Sequence, residues 1–158
     1  MQVNNSLSVQ ALSIIFPLEI PADLPLTDSY GDAVSETEPF RGLSWSDVPC
    51  ALLLKCFEAP YFFSPEALHY FFPAFIVCSQ IDCNEVELPL DSLLSLFKET
   101  DNLSWEEWRK ARWKLFTKPQ WAVVKEWLDW LHTTPNAPFL ENLEAARLAL
   151  SKGIWVRV

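Results

Sequence analysis

Ser64-Pro65-Glu66 marks the start of a helix, and the residues behind it leave that helix only one place to go. A serine hydroxyl can accept from a backbone N–H of the first turn. Proline is preset for the first helical position, and an acid there faces the positive helix end. Ala67, Leu68, Phe71, Phe72, Phe75 and Ile76 follow, and beyond Tyr70 the stretch is apolar on every side. Such a helix is buried. The run from Tyr70 to Cys78 is far short of the about 20 residues that cross a bilayer, so it belongs to a protein core. Pro73 inside it costs about 3 kcal/mol. Phe71, Phe72, Phe75 and Ile76, at roughly 1.5–3 kcal/mol per buried side chain, must offset that cost. The chain is therefore expected to pack around a central helix at 64–79, bent near Pro73.

The other segments read as helices of ordinary amphipathic kind. Residues 1–16 suit a short apolar helix capped by Ser6. Ser44 or Ser46 can open a helix to about Phe57, with Val48, Leu52 and Leu53 at helical spacing. Another covers Leu90 to Lys98. Ser104-Trp105-Glu106-Glu107 has the form of a capping box and opens a helix to about Phe116. Thr117 and Pro119 open the next, whose Trp121, Val124, Leu128 and Leu131 form one stripe. A last helix spans Leu140 to Leu150 and ends at Gly153, with Ile154 to Val158 as a short strand or extended tail. The expectation is one all-α domain over 1–158, with about six helices.

Residues 17–44 interrupt this pattern. Pro17, Pro21, Pro25, Pro39, Gly31 and Gly42 punctuate them, and six acids fall between Glu19 and Glu38 with no base among them. The segment reads as an irregular, acidic, proline-rich wrap, with Leu18, Ile20, Leu24 and Leu26 laid on the core. No basic region precedes the apolar Leu12 to Phe16, so no secretion signal is visible and a cytoplasmic location is expected. Cys50, Cys56, Cys78 and Cys83 match no zinc-site spacing. They are expected to be reduced thiols, with no metal and no cofactor.

Motifs for catalysis are sparse. The chain lacks a Gly-x-Ser-x-Gly elbow, a Walker loop and a His-Glu-x-x-His helix. Of its two histidines, His69 sits four residues before Pro73 and is read as structural, and His132 as a helix C-terminal cation. Trp127 and Trp130 fall partly off the stripe of their helix. They either widen it or remain exposed as anchors for a partner, where Trp is enriched.

Charge is distributed unevenly. Residues 1–107 hold seventeen acids and three bases, and residues 108–158 hold four acids and nine bases. Arg109, Lys110, Arg112, Lys114 and Lys118 interleave with Trp108, Trp113 and Trp121 as a nucleic-acid surface would. A net charge of −9 repels a phosphate backbone, so no nucleic-acid partner is expected. The basic helix is instead expected to sit beside acids of the first half. Asp23, Asp28, Asp32, Glu36 and Glu38, with Asp82, Glu85 and Glu87, are the candidates for a negative partner-binding face.

Two stretches carry a resemblance. Phe40-Arg41-Gly42 followed by Trp45, and Phe63-Ser64-Pro65-Glu66-Ala67 followed by Tyr70-Phe71-Phe72-Pro73-Ala74-Phe75, resemble an uncharacterised family of bacterial domains of unknown function. In general type the small acidic chain is similar to immunity proteins that neutralise toxins. The resemblance covers about residues 40–78 and carries no functional residue with it. The expected function is non-catalytic binding of a basic protein, such as a toxin, with no membrane partner. The alternatives are a small enzyme with an acidic or cysteine-containing pocket, and an adaptor or assembly subunit using exposed tryptophan.

Overall fold

The computed structural model describes residues 7–134 and 139–153, and over these the chain is all-α, with no strand. The helices are α1 (Val9–Ile15), α2 (Asp32–Thr37), α3 (Cys50–Lys55), α4 (Ala59–Phe62), α5 (Pro65–Ile81), α6 (Glu87–Ser95), α7 (Leu103–Trp113), α8 (Lys118–His132) and α9 (Leu140–Ser151). Short 3₁₀ turns cover Glu38–Phe40 and Trp45–Asp47. Ser6, Pro135, Pro138 and the expected tail from Ile154 to Val158 lie outside the described residues.

The α5 helix is the centre of the molecule. Ser64 caps it by accepting from Ala67 N–H, Pro65 takes the first turn, and the helix continues through a buried Pro73. Phe72 meets Phe97, Trp113, Phe116 and Trp127 edge-on, with ring centroids 5.2–6.5 Å away. Phe97 lies flat on Trp113 at 4.3 Å. Edge-to-face and offset contacts of this kind each add about 0.5–1.5 kcal/mol beyond the area they bury. The α6, α8 and α9 helices pack together, α7 lies on α5, and α2 lies on α4.

The helix count exceeds the expected six because the chain breaks where proline dictates. The segment expected as one helix from Ser44 to Phe57 divides at Pro49, which has no N–H and keeps Val48 extended. Ser44 caps only the 3₁₀ turn, and α3 starts after the proline. The wrap at 17–44 is not wholly irregular, since α2 lies within it, entered through Gly31 at φ 66°. The α7 helix begins earlier than Ser104. Asn102 is the cap, accepting from Trp105 N–H, and Glu106 reaches back to Thr100 N–H.

Two further expectations fail in the core. Cys50 and Cys78 form a disulfide, with Cα atoms 5.5 Å apart, so the four cysteines are not all thiols. Packing of α3 on α5 pairs residues 28 positions apart, which sequence spacing alone does not show. Cys56 and Cys83 remain thiols. Burial raises the pKa of both, Cys83 to about 11, so both stay protonated and unreactive. Trp127 is fully buried and donates to Ser79 Oγ at 2.9 Å. It is therefore a core residue and not an exposed anchor. Trp130 is half-buried against the same core.

Candidate functional site

The end of α1 and the wrap after it are attached to the helical core through their backbone carbonyls. Gln120 Nε2 donates to Ile15 O, Trp45 Nε1 to Pro17 O, and Tyr70 Oη to Leu18 O. Further along, Ser64 Oγ donates to Pro25 O and Ser64 N–H to Leu26 O. Without strand or helix partners the wrap's carbonyls are met mostly by side chains of the core, and at Leu26 by the Ser64 N–H. Between these two groups of bonds the chain from Glu19 to Leu24 bridges open space. It forms the outer wall of a cleft against α5, and its other side borders a second groove.

The first cleft has a volume of about 350 Å³ and mostly apolar walls, among them Phe16, Pro21, Leu24 and Leu115. Its ionisable lining groups among the described residues are Glu19, Glu66, His69 and Tyr70. His69 Nε2 lies 2.7 Å from Gln120 Oε1. That oxygen also accepts Thr117 N–H at 3.0 Å in the α8 capping box, which makes it the acceptor in both contacts. His69 therefore carries its proton on Nε2 and, when neutral, has its lone pair on Nδ1. Burial lowers its pKa, partly opposed by the Gln120 bond, and so favours the neutral ring. The Tyr70 hydroxyl is engaged by Leu18 O, and burial raises its pKa.

The second groove, about 520 Å³, is lined by Asp23, Tyr30, Val34, Glu38 and Arg41 together with wrap backbone. Tyr30 is 93% exposed and Val34 is exposed beside it. Asp23, Asp28 and Asp32 are all exposed. Arg41 Nε and Nη2 donate to the two carboxylate oxygens of Glu38 at 2.7 and 3.0 Å. Each group stabilises the other's charge, raising the Arg41 pKa and lowering that of Glu38. The groove's base is thus held by its own acid, while the three aspartates remain at the surface. Glu36 differs from them. It is half-buried, and burial raises its pKa, helped by the nearby Glu58 and Asp32 carboxylates.

The remaining acids do not join this groove. Asp82 caps the C-terminal end of α5 and accepts from the Asn84 and Glu85 N–H groups, and Glu87 opens α6. The wrap is bonded at Ser64, the other end of the same helix. At 1.5 Å per residue the length of α5 separates the two acidic groups by about 25 Å. They are two patches and not one face.

Two of the five bases in the cluster, Arg109 and Arg112, are internal, while Lys110, Lys114 and Lys118 are exposed. Arg109 is fully buried, donating to Leu96 O and to Glu106 Oε1. Arg112 is 5% exposed, lies flat over the Trp108 ring at 3.5 Å, and donates to Phe63 O and Trp108 O. Burial lowers its pKa to about 10 against the pull of Asp28 and Glu66, so it remains a cation facing first-half acids. Trp105 stacks on Trp108 at 4.6 Å and is 40% exposed.

Among the described residues no group of three or more His, Cys, Asp or Glu is placed to hold a metal ion, and no helix is long and apolar enough to cross a membrane. Tyr30 and Gln120 lie outside the candidate positions that composition and motifs mark. For Gln120 a signal exists, the Thr117-x-x-Gln120 capping spacing. An exposed tyrosine in an irregular segment has none. No protein-family model, curated protein or solved structure matches the chain.

Proposed function

We propose that the protein works by binding a basic protein, in the manner of an immunity protein that masks a toxin, through the groove around Tyr30. The observation that carries this reading is the placement of Tyr30. A fully exposed aromatic side chain lines the same groove as Val34 and Asp23, and Asp28 and Asp32, two residues to either side of it in the chain, are exposed as well. Tyrosine is a frequent interface anchor, and a rim of one sign steers an oppositely charged partner, raising association rates by about 10–10³-fold.

The test separates anchor from rim. Asp23→Asn, Asp28→Asn and Asp32→Asn together remove the aspartate charge of the segment around Tyr30. Asn suits the left-handed backbone of Asp23, at φ 55°, as well as Asp does. With a basic partner captured from the native host, the triple variant should associate more slowly at low salt and equally fast at 1 M salt. Tyr30→Ala should speed dissociation at either salt. Unchanged rates in both variants would reject this groove as the binding surface.

A second reading has one observation in its favour: the first cleft gathers His69 with Glu19 and Glu66. A neutral imidazole with Nδ1 as its basic atom is the form a general base requires. The hydrogen bond of His69 nevertheless goes to Gln120 and not to a carboxylate that would stabilise an imidazolium. Binding is the reading the geometry favours.

A further inference from the structure

We propose that the cleft between the wrap and α5 is a binding site for a small hydrophobic amine, with its apolar body against Phe16, Leu24 and Leu115 and its protonated head between Glu19 and Glu66. This site is separate from the Tyr30 groove and does not depend on it. Three features lead to it.

The first is size and lining. A volume of about 350 Å³ with mostly apolar walls falls in the range of small-molecule pockets, about 300–1,000 Å³, where a few polar groups fix orientation. The second is that the wall is held open from both ends. The bonds of Pro17 and Leu18 to Trp45 and Tyr70, and of Pro25 and Leu26 to Ser64, fix the wrap on either side of the cleft. The space beneath is therefore preformed, and a ligand need not order it.

The third is the sign of the charge. Glu19 and Glu66 are the carboxylates of the lining, while partial burial shifts the half-buried His69 toward its neutral form and the Tyr70 hydroxyl is bonded to Leu18 O. Arg112 lies near Glu66, but it also faces Asp28 and is engaged by two backbone carbonyls. Two acids, Asp28 and Glu66, thus share that one cation. A carboxylate ligand would meet repulsion at this rim. A neutral alcohol would offer these exposed acids only a neutral hydrogen bond in place of water. An ammonium group gives them a charge-assisted hydrogen bond.

The experiment uses three ligands of equal length, n-octylamine, n-octanol and octanoate, titrated into the full chain at neutral pH. Calorimetry gives the affinity, and the His69 ring proton resonance reports occupancy of the cleft. Octylamine should bind with one-to-one saturation and shift the His69 signal. Octanol should bind about tenfold or more weakly, as expected for loss of one charged hydrogen bond, and octanoate more weakly still. Glu19→Gln with Glu66→Gln should bring octylamine down to the level of octanol. Ala22→Trp, at an exposed lining position, should block all three while leaving the circular dichroism spectrum unchanged. The proposal is overturned if octanoate binds as well as octylamine, if nothing saturates, or if Ala22→Trp leaves binding intact. None of these results bears on the Tyr30 groove, which is read from the rates with a basic protein.

Discussion

His69 and Gln120, 51 positions apart, share a 2.7 Å hydrogen bond that sets the tautomer of the imidazole and ties the central helix to the start of α8. Gln120 is 97% buried, and its amide makes three contacts at once: to His69, to the Thr117 N–H and to Ile15 O. Gln120→Leu keeps the volume and removes all three. A buried donor or acceptor left without a partner costs about 1–3 kcal/mol, so urea unfolding should show at least that loss. His69, without the bond that opposes the effect of burial, should titrate at still lower pH by NMR. An unchanged His69 titration would mean that the contact is not formed in solution.

The same histidine predicts a pH dependence of stability. The unfolded imidazole titrates near 6.5, and burial places the folded one lower. Below pH 6.5 the unfolded chain therefore takes up a proton that the folded chain does not, and stability falls. The fall ends once the folded pKa is passed, and above 6.5 the group contributes no slope. His69→Gln should lose this component, so the difference between wild type and variant should be flat above pH 6.5 and slope below it. Carboxylates held low by their ion pairs, such as Glu106 and Asp129, act at more acid pH and cancel in the difference.

The disulfide gives a direct count. Oxidised, denatured protein should show two free thiols, from Cys56 and Cys83, and four after reduction. Closing a loop of 28 residues restricts the unfolded chain, and loss of the bond should cost roughly 3–4 kcal/mol on the chain-entropy account. Four thiols before reduction would show that Cys50 and Cys78 are not joined.

What the sequence made legible follows from how local each signal is. The cap at Ser64, the apolar surround of α5 and the stop at Gly153 depend on neighbouring residues, and all are found. The pairing of Cys50 with Cys78, the cleft at His69 and the burial of Arg109 and Arg112 depend on elements brought together from distant positions, which periodicity does not encode. Arg112 shows this well. Its charge suggested a surface, but its four-residue offset from Trp108 allows the guanidinium to lie on that ring inside the fold. The acids were visible, but that α5 separates them into two patches was not.

Trp127 and Trp130, alike in the sequence, should differ sharply on substitution. Trp127 is fully buried and bonded to Ser79, so Trp127→Ala should cost about 3–5 kcal/mol, as for other large core aromatics. Trp127→Phe should cost less but still leave the Ser79 hydroxyl without its indole donor. Trp130 is only half-buried, and Trp130→Ala should cost clearly less than Trp127→Ala. Equal losses in thermal or urea unfolding would contradict the placement of the two rings.

Arg112 tests how the interior and the negative surface are linked. Its guanidinium lies flat on Trp108 and donates to two carbonyls, while Asp28 and Glu66 favour its charge. Lysine keeps the charge but has no planar fork and cannot lie on the ring in the same way, so Arg112→Lys should lose about 1.5–3 kcal/mol. Methionine also loses the bonds but leaves no charge to be buried. Arg112→Met should therefore be no less stable than Arg112→Lys, because an imperfectly paired buried cation is worse than none. The two variants should also differ at the surface. Arg112→Met frees the Asp28 and Glu66 charges that Arg112 offsets, so a basic partner should associate faster with it than with Arg112→Lys at low salt. The difference should vanish at 1 M salt, where the Debye length is about 3 Å. Equal association rates at low salt would show that Arg112 does not moderate the charge of this surface.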